Sequence, residues 1–151
     1  MSITLKEVDH MNSDLHQLIY KLDCYFKVRY PEDGIFGLDF NDPKVKEVNF
    51  AVAYFNDTPA GCGGIRPLDR QSAELKRFFV DSEYRNKGIA SHILEHLEFM
   101  AKSKGFTSIK LETGPEQPES ISFYRKHGYM DIKLFGEYTD SKYSICMEKK
   151  L

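Results

Sequence analysis

The chain has 151 residues, a net charge of −2 and 29% charged residues. That is the size of one domain, 1–151, with its own core, and it shows neither the basic footprint of a nucleic-acid binder nor the charge excess of a disordered tail. Cys24, Cys62 and Cys146 are odd in number and form no CxxC pair, so neither a disulfide framework nor a zinc site is expected, and a reducing cytoplasm fits.

The opening MSITLKEVDH is not a basic-then-apolar leader, and no apolar run approaches the roughly 18 residues of a membrane span. A soluble protein without a membrane partner is therefore expected. Alternation over Ile3–Val8 predicts a strand, and Leu15, Leu18, Ile19, Leu22, Tyr25, Phe26 and Val28 fall on one helix face behind the capping residues of 9–13. The helix region closes at Pro31. Residues 30–43 then mix glycines, prolines, acids and the aromatics Tyr30, Phe36 and Phe40. The mix predicts a loop or broken helix packed over something concave, either an ordinary connector or a substrate-facing lid.

Phe50–Phe55 and Gly61–Leu68 flank the turn-rich Asn56–Ala60 and predict a hairpin. Gly61, Gly63 and Gly64 weaken its second strand, as at a bulge or a close approach. Arg66 follows them, either solvated or placed to hold a carboxylate. After a turn at 69–72, Ala73–Val80 is apolar enough for a buried central strand yet carries Glu74.

Arg85-Asn86-Lys87-Gly88-Ile89-Ala90 precedes an amphipathic helix from Ile89 to Lys104 that ends at Gly105. Helix-start amides lack intrahelical acceptors and sit at the positive end of the helix dipole, so with Gly88 sparing a side chain this loop predicts a phosphate site. His92 and His96 lie one turn apart, but without HExxH or a third ligand they read as a surface pair, and no metal is expected.

Thr107–Leu111 predicts a strand parallel to 73–80 through a right-handed crossover. A short helix is expected from Pro118 to Gly128, followed by an antiparallel hairpin of Tyr129–Phe135 and Tyr143–Met147 joined by 136–141. The order β-α-loop-β-β-β-α-β-α-β-β describes an α/β (α+β) mixed sheet with helices on its faces.

AELKRFFV followed by Arg85-x-x-Gly88-x-Ala90 resembles motif A of the GNAT superfamily of N-acetyltransferases. Gln117-x-x-Ser120-x-x-x-Tyr124-x-x-x-Gly128-Tyr129 resembles its motif B, with Gln117 at an asparagine position and Ser120 at an alanine position. Leu111-Glu-Thr-Gly, Phe135-Gly-Glu-Tyr138 and Ser144-Ile-Cys-Met-Glu-Lys149 are similar to a bacterial subgroup of small members. Between them these matches span about residues 60 to 149.

The resemblance implies an acyl-CoA N-acyltransferase fold, splayed between 73–80 and 107–112, and an acetyl-CoA-dependent N-acetyltransferase. It places the pyrophosphate on Arg85, Asn86, Lys87, Gly88, Ile89 and Ala90. The pantetheine arm falls along Phe78, Phe79 and Val80, and Gln117 keeps a hydrogen-bonding role. Tyr124 becomes the proton donor to the leaving thiolate. Glu74 becomes the general base, acting directly or through one water; a strand-end glutamate paired with a neighbouring cation is the other reading. Arg66 beside Glu74 would suit an amino-acid-like acceptor carrying an amine and a carboxylate. A peptide or protein acetyltransferase and a non-catalytic acyl-CoA sensor are the rivals, and a monomer and a homodimer are equally compatible.

Overall fold

The computed structural model describes residues 2–151. Seven strands form one sheet: β1 (Ile3–Val8), β2 (Asn49–Phe55), β3 (Thr58–Pro67), β4 (Ser72–Val80), β5 (Ser108–Thr113), β6 (Met130–Ile132) and β7 (Ile145–Lys150), in spatial order β1-β2-β3-β4-β5-β7-β6. Three α-helices join them: α1 (Ser13–Lys27), α2 (Ile89–Ser103) and α3 (Pro118–Lys126). Asn12 caps α1 by accepting from the Leu15 amide, and of the predicted face Leu15, Leu18, Ile19 and Leu22 are buried and Tyr25 and Phe26 half-buried, whereas Val28 is the exposed C-cap, where the helix has already ended.

Each face of the sheet carries its own core. Ile93, Leu94, Leu97 and Ala101 of α2 pack with Ala53, Ile65, Leu75, Ile109 and Leu111 on one side. Leu15, Leu18 and Ile19 of α1 pack with Phe50, Val52 and Cys62 on the other. A fully buried Leu or Ile contributes roughly 1.5–3 kcal/mol of transfer free energy, so these two stripes fix which helix covers which face.

Two boundaries differ from expectation for local reasons. The β2–β3 connection is only Asn56-Asp57, both at positive φ (48° and 71°), a two-residue turn whose twist suits a hairpin; Thr58–Ala60 therefore belong to β3. At the C-terminus β6 is three residues rather than Tyr129–Phe135, and β7 starts at Ile145 rather than Tyr143. Between them a 3₁₀ turn at Gly136–Tyr138 drives Tyr138 into the interior instead of extending a strand. The pair is antiparallel as expected, with β7 lying between β5 and β6.

β4 and β5 are the parallel pair, and they stay paired only at Ser72–Ser108, Ala73–Ile109 and Glu74–Lys110. Beyond that point the strands part. This opening in the middle of the sheet positions everything that follows.

Candidate active site

From Leu75 to Val80, β4 keeps its β3 neighbour on one edge and has no β5 partner on the other. Backbone groups alternate between edges, so half of those in this stretch face the opening as an unused strand edge. A bulge interrupts the β3 register between Cys62 and Gly64, and opposite it Arg77 takes φ 55°. Such a bulge re-aims side chains and backbone next to a site. The expected close approach at the glycines is α2: a Cβ on Gly63 would stand 2.9 Å from Leu97.

A cleft of about 600 Å³ runs from the opening along the start of α2 and the side of α3. Phe78, Phe79, Val80, Arg85, Asn86, Gly88, Ile89 and Ala90 line it, with Gln117 and Tyr124 at its inner end. Gly88 is the N-cap of α2 at φ 80°, and Asn86 is at φ 62°. The first intrahelical bond of α2 is from His92 to Gly88, and no side chain caps the helix. The amides of Ile89, Ala90 and Ser91 therefore point into the cleft without acceptors, as an anion site needs. Lys87 differs from its neighbours: its ammonium sits 5.2 Å over the Phe55 ring, outside the cleft lining. Lys126 and Ser91, not singled out in the sequence, line the same cleft.

At its inner end the cleft meets a narrower chamber of about 70 Å³, sharing Leu22, Phe78, Gln117, Ser120 and Tyr124 with it. Residues Tyr30, Gly34, Ile35 and Phe36 roof this chamber, so the first half of the 30–43 segment lies over a concave space as a lid does, while Phe40 stacks on Phe50 in the α1 core. The lid is seated closely. A Cβ on Gly34 would fall 2.9 Å from the Tyr143 ring, and one on Gly114 would fall 2.2 Å from the Tyr30 hydroxyl. Phe36 packs edge-on against Tyr138 at 4.9 Å.

Tyr124 stands where the two spaces join. It is 6% exposed, its ring lies 5.9 Å from Phe78 and 5.8 Å from Tyr129, and its hydroxyl has no hydrogen-bond partner among the described residues. Burial, and secondarily the Glu112 carboxylate, push its pKa up, so it holds its proton at neutral pH. Gln117 donates to Thr113 Oγ1 at 3.3 Å.

Glu112, near the end of β5, is the carboxylate that lines the chamber. Burial raises its pKa to about 7; the hydrogen bond from Ser144 and the charge of Lys76 pull it down, while Glu74 and Glu137 push it up. Ser144 Oγ donates to its Oε2 at 2.7 Å. A carboxylate half ionised at neutral pH, facing the chamber, is equipped to take a proton. Sequence reasoning passed over this residue.

Glu74 is elsewhere. It is 1% exposed and lines neither space; Arg66 Nε donates to its Oε1 at 2.9 Å and the Tyr138 hydroxyl to its Oε2 at 2.5 Å. Lys76 completes the cluster, donating to Tyr138 at 2.9 Å. Glu74, expected as base, and Arg66, expected in acceptor binding, therefore stand one side chain back from the chamber, behind Tyr138 and Lys76, which do line it. Arg66 is the direct cross-strand neighbour of Glu74, is paired with it and with Glu137, and is outside the chamber lining. Glu74 is thus paired with a neighbouring cation.

Comparison with known proteins agrees with this architecture. The Acetyltransferase (GNAT) family model matches residues 15–129. An IAA acetyltransferase of Azospirillum brasilense is 34% identical over 152 residues, covering 99% of each chain. A Klebsiella pneumoniae structure assigned as an acyl-CoA N-acyltransferase superposes with TM-score 0.87 at 25% identity, covering 99% of this chain and 97% of that one. A GNAT acetyltransferase from Elizabethkingia anophelis with acetyl-CoA bound shares the fold with TM-score 0.75 at 18% identity, covering 99% and 98% of the two chains. With the match running from α1 to the end of α3, and a relative aligned end to end, the chain belongs to the GNAT family and is an N-acetyltransferase with acetyl-CoA as its co-substrate.

Proposed function

We propose that this enzyme acetylates a primary amine of a small molecule held in the chamber under the 30–37 lid, with Glu112 as general base and Tyr124 as general acid. The observation that carries the reading is the junction at Tyr124, where the long cleft with its orphaned helix amides meets a narrower chamber holding one carboxylate with a pKa of about 7. In this reading the pyrophosphate sits on the amides of 88–91 with Arg85 and Asn86 beside it. The pantetheine arm pairs with the free edge of β4 at Phe78–Val80 as an added strand would. Gln117 borders the arm, and Lys87 contributes charge only at a distance.

An alkylammonium with pKa ~10.4 must lose a proton before its nitrogen can attack the thioester, a cost of roughly 4–5 kcal/mol at neutral pH. Glu112 takes that proton in the pH range where its own ionisation is balanced. The nitrogen lone pair forms the C–N bond, the C–S bond breaks, Tyr124 protonates the departing thiolate, whose thiol pKa is near ~8.5, and the second nitrogen proton returns to Tyr124. Amides on the free edge of β4 face the developing oxyanion.

The narrow, aromatic-walled chamber supports a small acceptor over a folded protein. Arg66 is held in ion pairs with Glu74 and Glu137 and does not line the chamber, so it gives an amino-acid acceptor no advantage over another small amine. The test is thiol release from acetyl-CoA with benzylamine, tyramine, lysine, spermidine and a lysine-containing peptide. Turnover of small amines is expected, and turnover of the peptide alone would refute the reading.

A further inference from the structure

Converting an ammonium to an amide releases two protons from nitrogen, and only one of them ends on the thiol of coenzyme A. The other has to leave the chamber while the co-substrate fills its cleft side, and Glu112 is itself only half-buried, so a defined route competes with direct exchange to solvent. Glu112 has one oxygen toward this problem and one already committed. Oε1 has no protein partner among the described residues, while Oε2 accepts from Ser144 Oγ at 2.7 Å.

Ser144 Oγ in turn lies 2.7 Å from Ser141 Oγ. Ser144 has a single hydroxyl proton and a carboxylate only accepts, so with Glu112 ionised Ser141 donates to Ser144 and Ser144 to Glu112. The Tyr143 amide donates to Ser141 Oγ at 3.1 Å, which fixes the outer end of the chain to backbone. Ser141 is half-buried between the exposed Asp140 and Lys142, so the row of hydroxyls leads from the chamber to the protein surface.

We propose that Ser144 and Ser141 form the proton exit of this active site, carrying the surplus proton of an ammonium acceptor from Glu112 to solvent. The inference rests on the reading of Glu112 as the base. The surplus proton arrives on Oε1, and after the carboxyl turns it leaves toward Ser144 Oγ. Ser144 passes its own proton to Ser141, and Ser141 passes its proton to water. Rotation of the hydroxyls then restores the starting direction. No other group is oxidised, reduced or consumed.

The remaining titratable groups around Glu112 leave this route as the continuous one. Lys76 and Glu74 on β4, Glu137 and Tyr138 on the 3₁₀ turn, Tyr124 on α3, Tyr30 under the lid and Cys146 on β7 surround it. None of them makes a hydrogen bond to its carboxylate.

Carbon-13 NMR titration of the Glu112 carboxyl in the acetyl-CoA-saturated protein tests the inner link without any acceptor. Ser144→Ala should raise its proton affinity about tenfold, the value of one hydrogen bond to a charged group, and Ser144→Thr should restore it. Turnover tests the outer link. Ser141→Ala, which leaves the Ser144–Glu112 bond in place, should slow acetylation of benzylamine at pH 7 about tenfold. It should not slow 4-methoxyaniline, an amine already neutral at that pH with no surplus proton to shed.

An unchanged Glu112 titration in Ser144→Ala overturns the proposal. Equal loss on both amines, or no loss on benzylamine, does so as well, provided Glu112→Gln is inactive. Activity retained by Glu112→Gln instead overturns the assignment of the base. Thermal melting of each variant separates all of these outcomes from misfolding.

Discussion

Replacing Glu112 with Gln should make the enzyme slower and the protein more stable, with the second effect depending on pH. The folded-state pKa of Glu112 lies at about 7 against an ordinary value of 4.5, with burial the largest cause. At about 1.4 kcal/mol per pH decade, keeping it ionised in the fold costs about 3 kcal/mol. The sign follows from proton binding. Between pH 4.5 and 7 the folded protein keeps a proton that the unfolded chain has lost, so stability falls as pH rises through this window. Above it the whole penalty is present. Gln has nearly the same volume, carries no charge, and its carbonyl still accepts from Ser144. Urea denaturation should therefore show Glu112→Gln matching wild type at pH 4 and exceeding it by up to about 3 kcal/mol at pH 8. Turnover at neutral pH should fall roughly 10²–10⁴-fold and recover in part near pH 10, where free amine is abundant. A stability difference that is the same at both pH values would refute the argument, because it would mean that the carboxylate is not ionised at a cost.

The other sites respond in distinguishable ways. Tyr124→Phe should lower kcat by ~10² or more with acetyl-CoA affinity unchanged by calorimetry, since as the proposed general acid its hydroxyl serves only the departing thiolate. Gly88→Asp meets no atom closer than 3.9 Å, so its φ of 80° costs the fold only about 1 kcal/mol. The added carboxylate at the phosphate position should weaken acetyl-CoA binding roughly a hundredfold, and unchanged calorimetric affinity would remove the phosphate assignment. Glu74→Gln leaves Arg66 and Lys76 with only the half-exposed Glu137 carboxylate and should lower stability in denaturant melts. The pH dependence of kcat in the folded fraction should stay parallel to wild type; a flattened profile would return the role of base to Glu74.

Much of the architecture was legible because it is written in periodicity. The 3–4 spacing from Leu15 to Leu22 and from Ile89 to Met100, and the apolar run of 73–80, each describe a surface that has to be buried, and each is buried as expected. The lid was legible for the complementary reason: Tyr30 and Phe36 could not stay solvated, and the structure seats them against Gly114 and Tyr138. The C-terminal hairpin was read too long because Tyr138 fits a strand pattern as well as it fits an inward-pointing turn. Its choice depends on a distant partner, the Glu74 carboxylate, which no local pattern reveals.

The two glutamates show where local reading stops. On β4, Glu74 lies opposite Lys110 in the last paired rung of the parallel strands. A side chain there is still inside the closed part of the sheet, where it needs partners and finds Arg66 across the strand and Tyr138 above it. Glu112 lies two residues beyond that rung on β5, where β4 has already swung away, and the same chemistry becomes a chamber wall. A signal for it was present. With Ile109 and Leu111 in the core, alternation places Lys110 and Glu112 on the opposite face, and ligands of open parallel sheets gather beyond the carboxyl ends of the strands. Glu112 is the second residue from that end. Which of two carboxylates on neighbouring strands can reach a substrate is thus decided by the rung at which the strands part, a long-range packing property set by the β4 bulge and the helices on each face.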